Sequence, residues 1–80
     1  MDGYDLYYKG IYLGTLFEDN TFTYTIDSQY KDRFDLQLVA HQLSLIDDVS
    51  KEPNFDCHKY VKAFNEFKFD KGYKFVKRIA

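Results

Sequence analysis

The chain has 80 residues, 45% of them hydrophobic and 20% aromatic, with one cysteine, one proline and a net charge of -2. That length holds a single domain over residues 1–80, a lone cysteine rules out an internal disulfide, and no run nears the roughly 20 apolar residues that span a bilayer. Each buried Phe or Tyr removes about 150–250 Å² from water, so the aromatic content fills a small core with few residues and argues against disorder.

Met1, Asp2, Gly3 and Tyr4 make neither the basic start nor the apolar run of a secretion signal, so a cytoplasmic setting is expected. Residues 4–26 then read as a three-stranded antiparallel meander. Its turns fall at Lys9 and Gly10 and at Asp19 and Asn20, because Gly, Asn and Asp tolerate the positive φ of two-residue hairpin turns. In that register Tyr8 faces Ile11, Leu6 faces Leu13, Phe17 faces Phe22, Thr15 faces Tyr24 and Leu13 faces Ile26. All of these share one apolar face with Tyr4. The opposite, wetter face carries Asp5, Tyr7, Tyr12, Gly14, Leu16, Glu18 and the threonines at 21, 23 and 25.

Between residues 34 and 46 the apolar positions Leu36, Val39, Ala40, Leu43 and Ile46 follow the spacing of one helical face, with Asp32 or Asp35 as the cap. Leu38, Leu45 and Val49 form a second stripe, which predicts a helix lying between the sheet and another element. Residues 47–54 hold paired aspartates and the only proline and read as a loop. Asp56 then caps a second helix, over about residues 57–66, whose apolar positions are Cys57, Tyr60, Val61, Phe64 and Phe67. Residues 67–75 alternate as a hairpin would, with Phe69 and Phe75 as core. The favoured reading is a helix end, a turn at 70–72 and a last strand over about 73–78. The expected class is α+β in the order βββααβ, with two helices packed on one face of the sheet.

Groups that could carry chemistry are sparse and separated. Cys57 and His58 are adjacent and so diverge by about 100° on a helix, which does not build a nucleophile and base. Cys57 reads as core. His41 has no second histidine at metal-binding spacing, and the pairs Glu18 with Asp19 and Asp47 with Asp48 read as solvated turn or helix-end residues. Gly10 is a turn residue, and Gly14, inside a strand, marks a bulge or the close approach of another backbone. No enzyme, cofactor or metal is expected.

Charge is uneven along the chain. Residues 1–56 carry 11 acidic and 4 basic side chains, a net of -7, and residues 57–80 carry 2 and 7, a net of +5. Such a division serves solubility, and it also fits an acidic surface for a basic partner. Tyr7, Tyr12 and Leu16 would form an apolar cluster on the wet face, with Glu18 and Asp19 completing a candidate protein-binding surface. As an alternative, Lys68, Lys71, Lys74, Lys77 and Arg78, interleaved with aromatics, would meet a nucleic acid through phosphate contacts and stacking. The leading expectation is a small regulator or inhibitor that binds a larger bacterial or phage protein. In size and charge it resembles acidic inhibitors such as anti-CRISPR or anti-restriction proteins, and an antitoxin-like inhibitor falls in the same class.

One stretch resembles a known family. Gly10, Leu13-Gly14-Thr15-Leu16, Asp19 and Phe22-Thr23-Tyr24 match the cadence that opens the N-terminal subdomain of HipA-type kinase toxins: a strand, a turn glycine, a hydrophobic-Gly-x-Leu strand, an acidic turn and Phe-x-Tyr. The resemblance spans residues 4–26, and no kinase motif follows. It implies a non-catalytic subdomain that regulates or contacts a partner.

Overall fold

The computed structural model describes residues 2–68 and 71–78. Strands β1 (Gly3–Tyr8), β2 (Ile11–Phe17) and β3 (Phe22–Tyr24) come first, followed by a 3-10 turn at Ser28–Tyr30. Helices α1 (Leu36–Ser50) and α2 (Cys57–Lys68) follow, and β4 (Tyr73–Lys77) ends the sheet. The strand order is β3-β2-β1-β4, every neighbour antiparallel, so the C-terminal strand joins the meander beside β1. The α+β class stands, with four strands in one sheet. A helix end followed by a strand replaces any hairpin over 67–75. Phe69 and the Asp70 end of the predicted turn lie outside the described residues.

Lys9 and Gly10 both have positive φ, 51° and 83°, and close β1 onto β2 as the sequence predicts. The pairs Tyr8 with Ile11 and Tyr7 with Tyr12 follow, but the register then slips: Leu6 lies opposite Gly14 and Tyr4 opposite Leu16. The extra residue is Leu13, and such a bulge reverses the parity of everything beyond it. The second turn also departs from expectation. Asn20, at φ 70°, donates its N–H to the carbonyl of Phe17, and Phe17 donates to Thr21, so three residues, 18–20, form the loop. Leu16 therefore faces Phe22, and Thr15 faces Thr23.

These two departures cancel across the sheet. In β1 and β3 the expected inward residues stay inward, whereas in the second half of β2 the faces exchange. Leu16, expected on the wet face, is 0% exposed and belongs to the core, while Thr15 and Phe17, expected inside, lie on the outer face. Gly14 turns inward between Leu6 and Tyr24. A Cβ there would lie 2.8 Å from the Tyr24 Cβ and would overlap the Thr23 carbonyl oxygen, so the close backbone approach read from the sequence is present.

Asp35 caps α1, accepting from the amides of Gln37 and Leu38, and Asp56 caps α2, accepting from His58 and Lys59. Caps of this kind contribute about 1 kcal/mol each. Helix α1 runs past the predicted loop boundary to Ser50, which is buried and donates its hydroxyl to the Asp47 carbonyl. Val39, Leu43 and Ile46 of α1 and Cys57, Val61 and Phe64 of α2 join Leu6, Leu16, Phe22 and Phe75 of the sheet in one core. Both helices thus cover the same sheet face. The second stripe of α1 is not sandwiched: Leu38 is 67% and Leu45 46% exposed and Val49 is half-buried, while Ala40, expected on the inner stripe, is exposed.

Tyr73 sits in this core against the Tyr8 ring, with centroids 4.3 Å apart. Burial, reinforced by Tyr8, pushes its phenol up to about 12. The unfolded phenol ionises near its ordinary value of about 10, so the unfolded state loses its proton first and stability falls between pH 10 and about 12. Urea midpoints measured across that window should decline, and Tyr73→Phe should flatten the decline.

The two sheet edges are finished differently. Lys9 donates to Gly72 and Arg78 to Gly3, which fixes the alternation so that the N–H and C=O of Phe75 point away from β1. The Asn65 side chain of α2 meets both: its amide nitrogen donates to the Phe75 carbonyl at 3.0 Å and its oxygen accepts from the Phe75 N–H at 2.8 Å. A side-chain amide thus stands where another strand would pair. At the other edge Thr25 donates to Leu13, so Thr21, Thr23 and Thr25 pair with β2 and the backbone groups of Phe22 and Tyr24 point outward.

Candidate protein-interaction surface

Because both helices lie on one side, the other side of the sheet is left open. Alternation brings Asp5 and Tyr7 of β1, Tyr12, Thr15 and Phe17 of β2, and Lys74 and Val76 of β4 to this outer face, with Arg78 beyond the strand end. The Tyr7 and Tyr12 rings pack edge to face, centroids 5.9 Å apart and planes at 66°. Tyr12 is 51% exposed.

A polar chain orders these groups. The Thr15 hydroxyl donates to Asp5 Oδ1 at 2.8 Å and lies 2.6 Å from the Tyr12 hydroxyl. A threonine hydroxyl has one hydrogen, already given to the carboxylate, so Tyr12 is the donor to Thr15. Arg78 Nε stands 3.6 Å from the same carboxylate oxygen, and its guanidinium lies over the Phe17 ring at 6.0 Å. Thr15 is only 1% exposed even though its face of the sheet is uncovered. Tyr12 is consequently held at both ends, by the Tyr7 ring and by its hydroxyl. A shallow depression of about 150 Å³ lies beside it, lined by Tyr12, Leu13, Gly14, Thr23, Tyr24 and Thr25.

Of the five residues proposed as a protein-binding surface, the structure brings together Tyr7 and Tyr12. Leu16 is in the core and cannot meet a partner, because the Leu13 bulge turns it inward. Glu18 and Asp19 are exposed at the opposite end of β2, in the loop to β3. Asp19 accepts from the Thr21 amide, and that hydrogen bond holds its carboxyl below the usual range. It lines a second depression, of about 370 Å³, with Asn20, Thr21, Phe22, Asp47, Ser50 and Lys51. Lys51 is drawn onto Asp47 there at 3.1 Å.

The five C-terminal cations do not form one stripe. Lys74 lies opposite Tyr7 on the outer face and Arg78 is engaged with Asp5, whereas Lys77 falls on the alternate face opposite Tyr4. Lys68 ends α2 and Lys71 lies in the turn before β4. Asp5 lies on the outer face as the alternation predicts, whereas Thr15 and Phe17 reach it only through the bulge. The signal was Leu13 followed by Gly14.

Elsewhere, Cys57 is buried and its thiol is pushed up by burial, with Asp56 and Glu18 adding to the effect. His58 is turned to Tyr4, whose hydroxyl lies 2.6 Å from Nδ1. Among the described residues no three His, Cys, Asp or Glu side chains converge to hold a metal ion, and no helix is long and apolar enough to cross a membrane. No protein-family profile, curated protein or solved structure matches the chain.

Proposed function

We propose that this chain is a small non-enzymatic protein-binding module, a cytoplasmic regulator or inhibitor of a larger bacterial or phage protein. The observation that carries the reading is the uncovered sheet face with the Tyr7 and Tyr12 pair held in place by Thr15, Asp5 and Arg78. Tyrosines fixed before a partner arrives lose little side-chain entropy on binding, which is what makes such residues anchors. The acidic first 56 residues and the resemblance of residues 4–26 to the partner-contacting subdomain of HipA-type kinase toxins support the same class. An acidic inhibitor occupying a basic surface, antitoxin-like or anti-CRISPR-like, is its more specific form.

Affinity capture from a native lysate, run in parallel with wild-type protein and the Tyr7→Ala/Tyr12→Ala variant, tests this. The variant should keep its fold and lose the captured protein, and unchanged capture counts against the face. The second reading, nucleic-acid binding, is favoured by Lys74 lying opposite Tyr7 on the face that also carries Tyr12, Phe17 and Arg78. Binding to DNA or RNA at low salt that weakens steeply as salt rises supports it, and no binding at low salt removes it.

A further inference from the structure

We infer that the free edge of β3 is a docking site for an extended, basic segment of another protein, which adds to the sheet as a fifth strand. This inference rests on the protein-binding reading but uses a different surface from the tyrosine pair.

The two edges of the sheet are finished asymmetrically. An unpaired edge is a template for adventitious strand pairing, and chains blunt it with lysines, prolines or a covering element. The β4 edge is blunted twice, by Lys74 and Lys77 in the strand and by Asn65 occupying both outward groups of Phe75. Among the described residues the β3 edge has no such charge or clamp, and its protection is its length of three residues. It contains no lysine and no proline, and the outward N–H and C=O of Phe22 and Tyr24 meet no partner there. The strand exposes Thr23 toward the outer face, and Tyr24 on the other is partly exposed and stacked on Phe22 at 5.0 Å. A β-branched residue and an aromatic one on alternate faces suit pairing with an added strand.

Charge selects the occupant. Residues 18–27 contain Glu18, Asp19 and Asp27 and no cation, and in the adjoining depression Lys51 is taken up by Asp47 at 3.1 Å. A second copy is disfavoured by the same charges. Two-fold antiparallel pairing of β3 with itself centres on Thr23, pairs Phe22 with Tyr24, and sets Asp19 against Asp27 on both sides. Like charges placed opposite one another destabilise a strand pair. A partner strand flanked by lysine or arginine meets attraction at both ends.

The test uses isotope-labelled protein and two synthetic peptides of alternating valine and threonine, one flanked by lysines and one by glutamates. The lysine peptide should shift the amide signals of Phe22 and Tyr24 and slow their hydrogen exchange, with no such effect from the glutamate peptide. Asp19→Asn/Asp27→Asn keeps the capping oxygens and should weaken the lysine peptide about two- to tenfold, the scale of exposed ion pairs. Tyr24→Pro removes an outward donor without breaking the ladder to β2 and should abolish binding. If that variant does not fold, the mapping on the wild-type chain still decides. Shifts confined to Tyr7 and Tyr12 overturn the edge site while leaving the protein-binding reading in place. Concentration-dependent protection of Phe22 and Tyr24 without peptide overturns it in favour of a second copy. No shift with either peptide overturns it outright, and the capture experiment then judges the broader reading alone.

Discussion

Leu16→Ala is expected to lower the unfolding free energy by about 3–5 kcal/mol, the range for a fully buried leucine whose cavity does not collapse. Leu16 is 0% exposed, between Tyr4 of β1 and Phe22 of β3, and is covered by the helices of the same core. A domain of this length has a total margin of only about 4–12 kcal/mol. The variant should therefore be marginally folded at room temperature, with its urea midpoint displaced far toward zero and its slope unchanged. Tyr12→Ala provides the contrast, since a half-exposed residue leaves no core cavity and should move the midpoint little. A Leu16→Ala change within about 0.5 kcal/mol of wild type is what a surface residue gives. That result would return Leu16 to the wet face and remove the bulge from the register.

The contrast between these two residues shows what alternation can and cannot reveal. In β1 and β3 the apolar residues fall on one parity apart from Tyr7, so spacing alone places Tyr4, Leu6, Tyr8, Phe22 and Tyr24 on the inner face. Strand β2 reads Ile-Tyr-Leu-Gly-Thr-Leu-Phe, with apolar side chains on both parities. Its pattern fits two registers, and the tight Lys9 and Gly10 turn made the unbulged one look sufficient. Tyr7 and Tyr12 were legible as a pair because they lie before the bulge. The chain from Tyr12 through Thr15 to Asp5 and Arg78 was not, because it needs the parity change and a contact between opposite ends of the sequence. The helices were legible from their 3.6-residue period, and Asp35 and Asp56 from their place before it. The extension of α1 through Asp47 and Asp48 was hidden because two carboxylates resemble a turn, although Ile46 and the buried Ser50 continue the inward face. Asn65 gave no signal at all. A polar residue on the flank of an amphipathic helix is ordinarily solvated, and its clamp on Phe75 exists only once β4 is placed.

Gly14→Ala is expected to destabilise the protein by about 1–3 kcal/mol, as overpacking of a tight site does, despite replacing glycine in a strand. On backbone entropy alone the same change should stabilise by roughly 0.5–1 kcal/mol, so the sign of the effect is the measurement. The new methyl group would meet the Cβ and Cα of Tyr24 at 2.8 and 2.9 Å, and the carbonyl oxygen of Thr23. These are largely backbone atoms of the neighbouring strand and cannot rotate aside. Strand β3 must move, and it is held to β2 by a ladder of only three residue pairs. Hydrogen exchange should accordingly show protection lost at the inward amides of Thr23 and Thr25 before it is lost at Leu6 or Phe75. Loosening β3 also removes the outward groups of Phe22 and Tyr24 from a defined edge, while Tyr7 and Tyr12, on the other side of the bulge, stay paired. Gly14→Ala should thus abolish binding of the lysine-flanked peptide and spare capture through the tyrosine face. A variant more stable than wild type, with β3 amides still protected, would show that the two backbones are not in contact at Gly14.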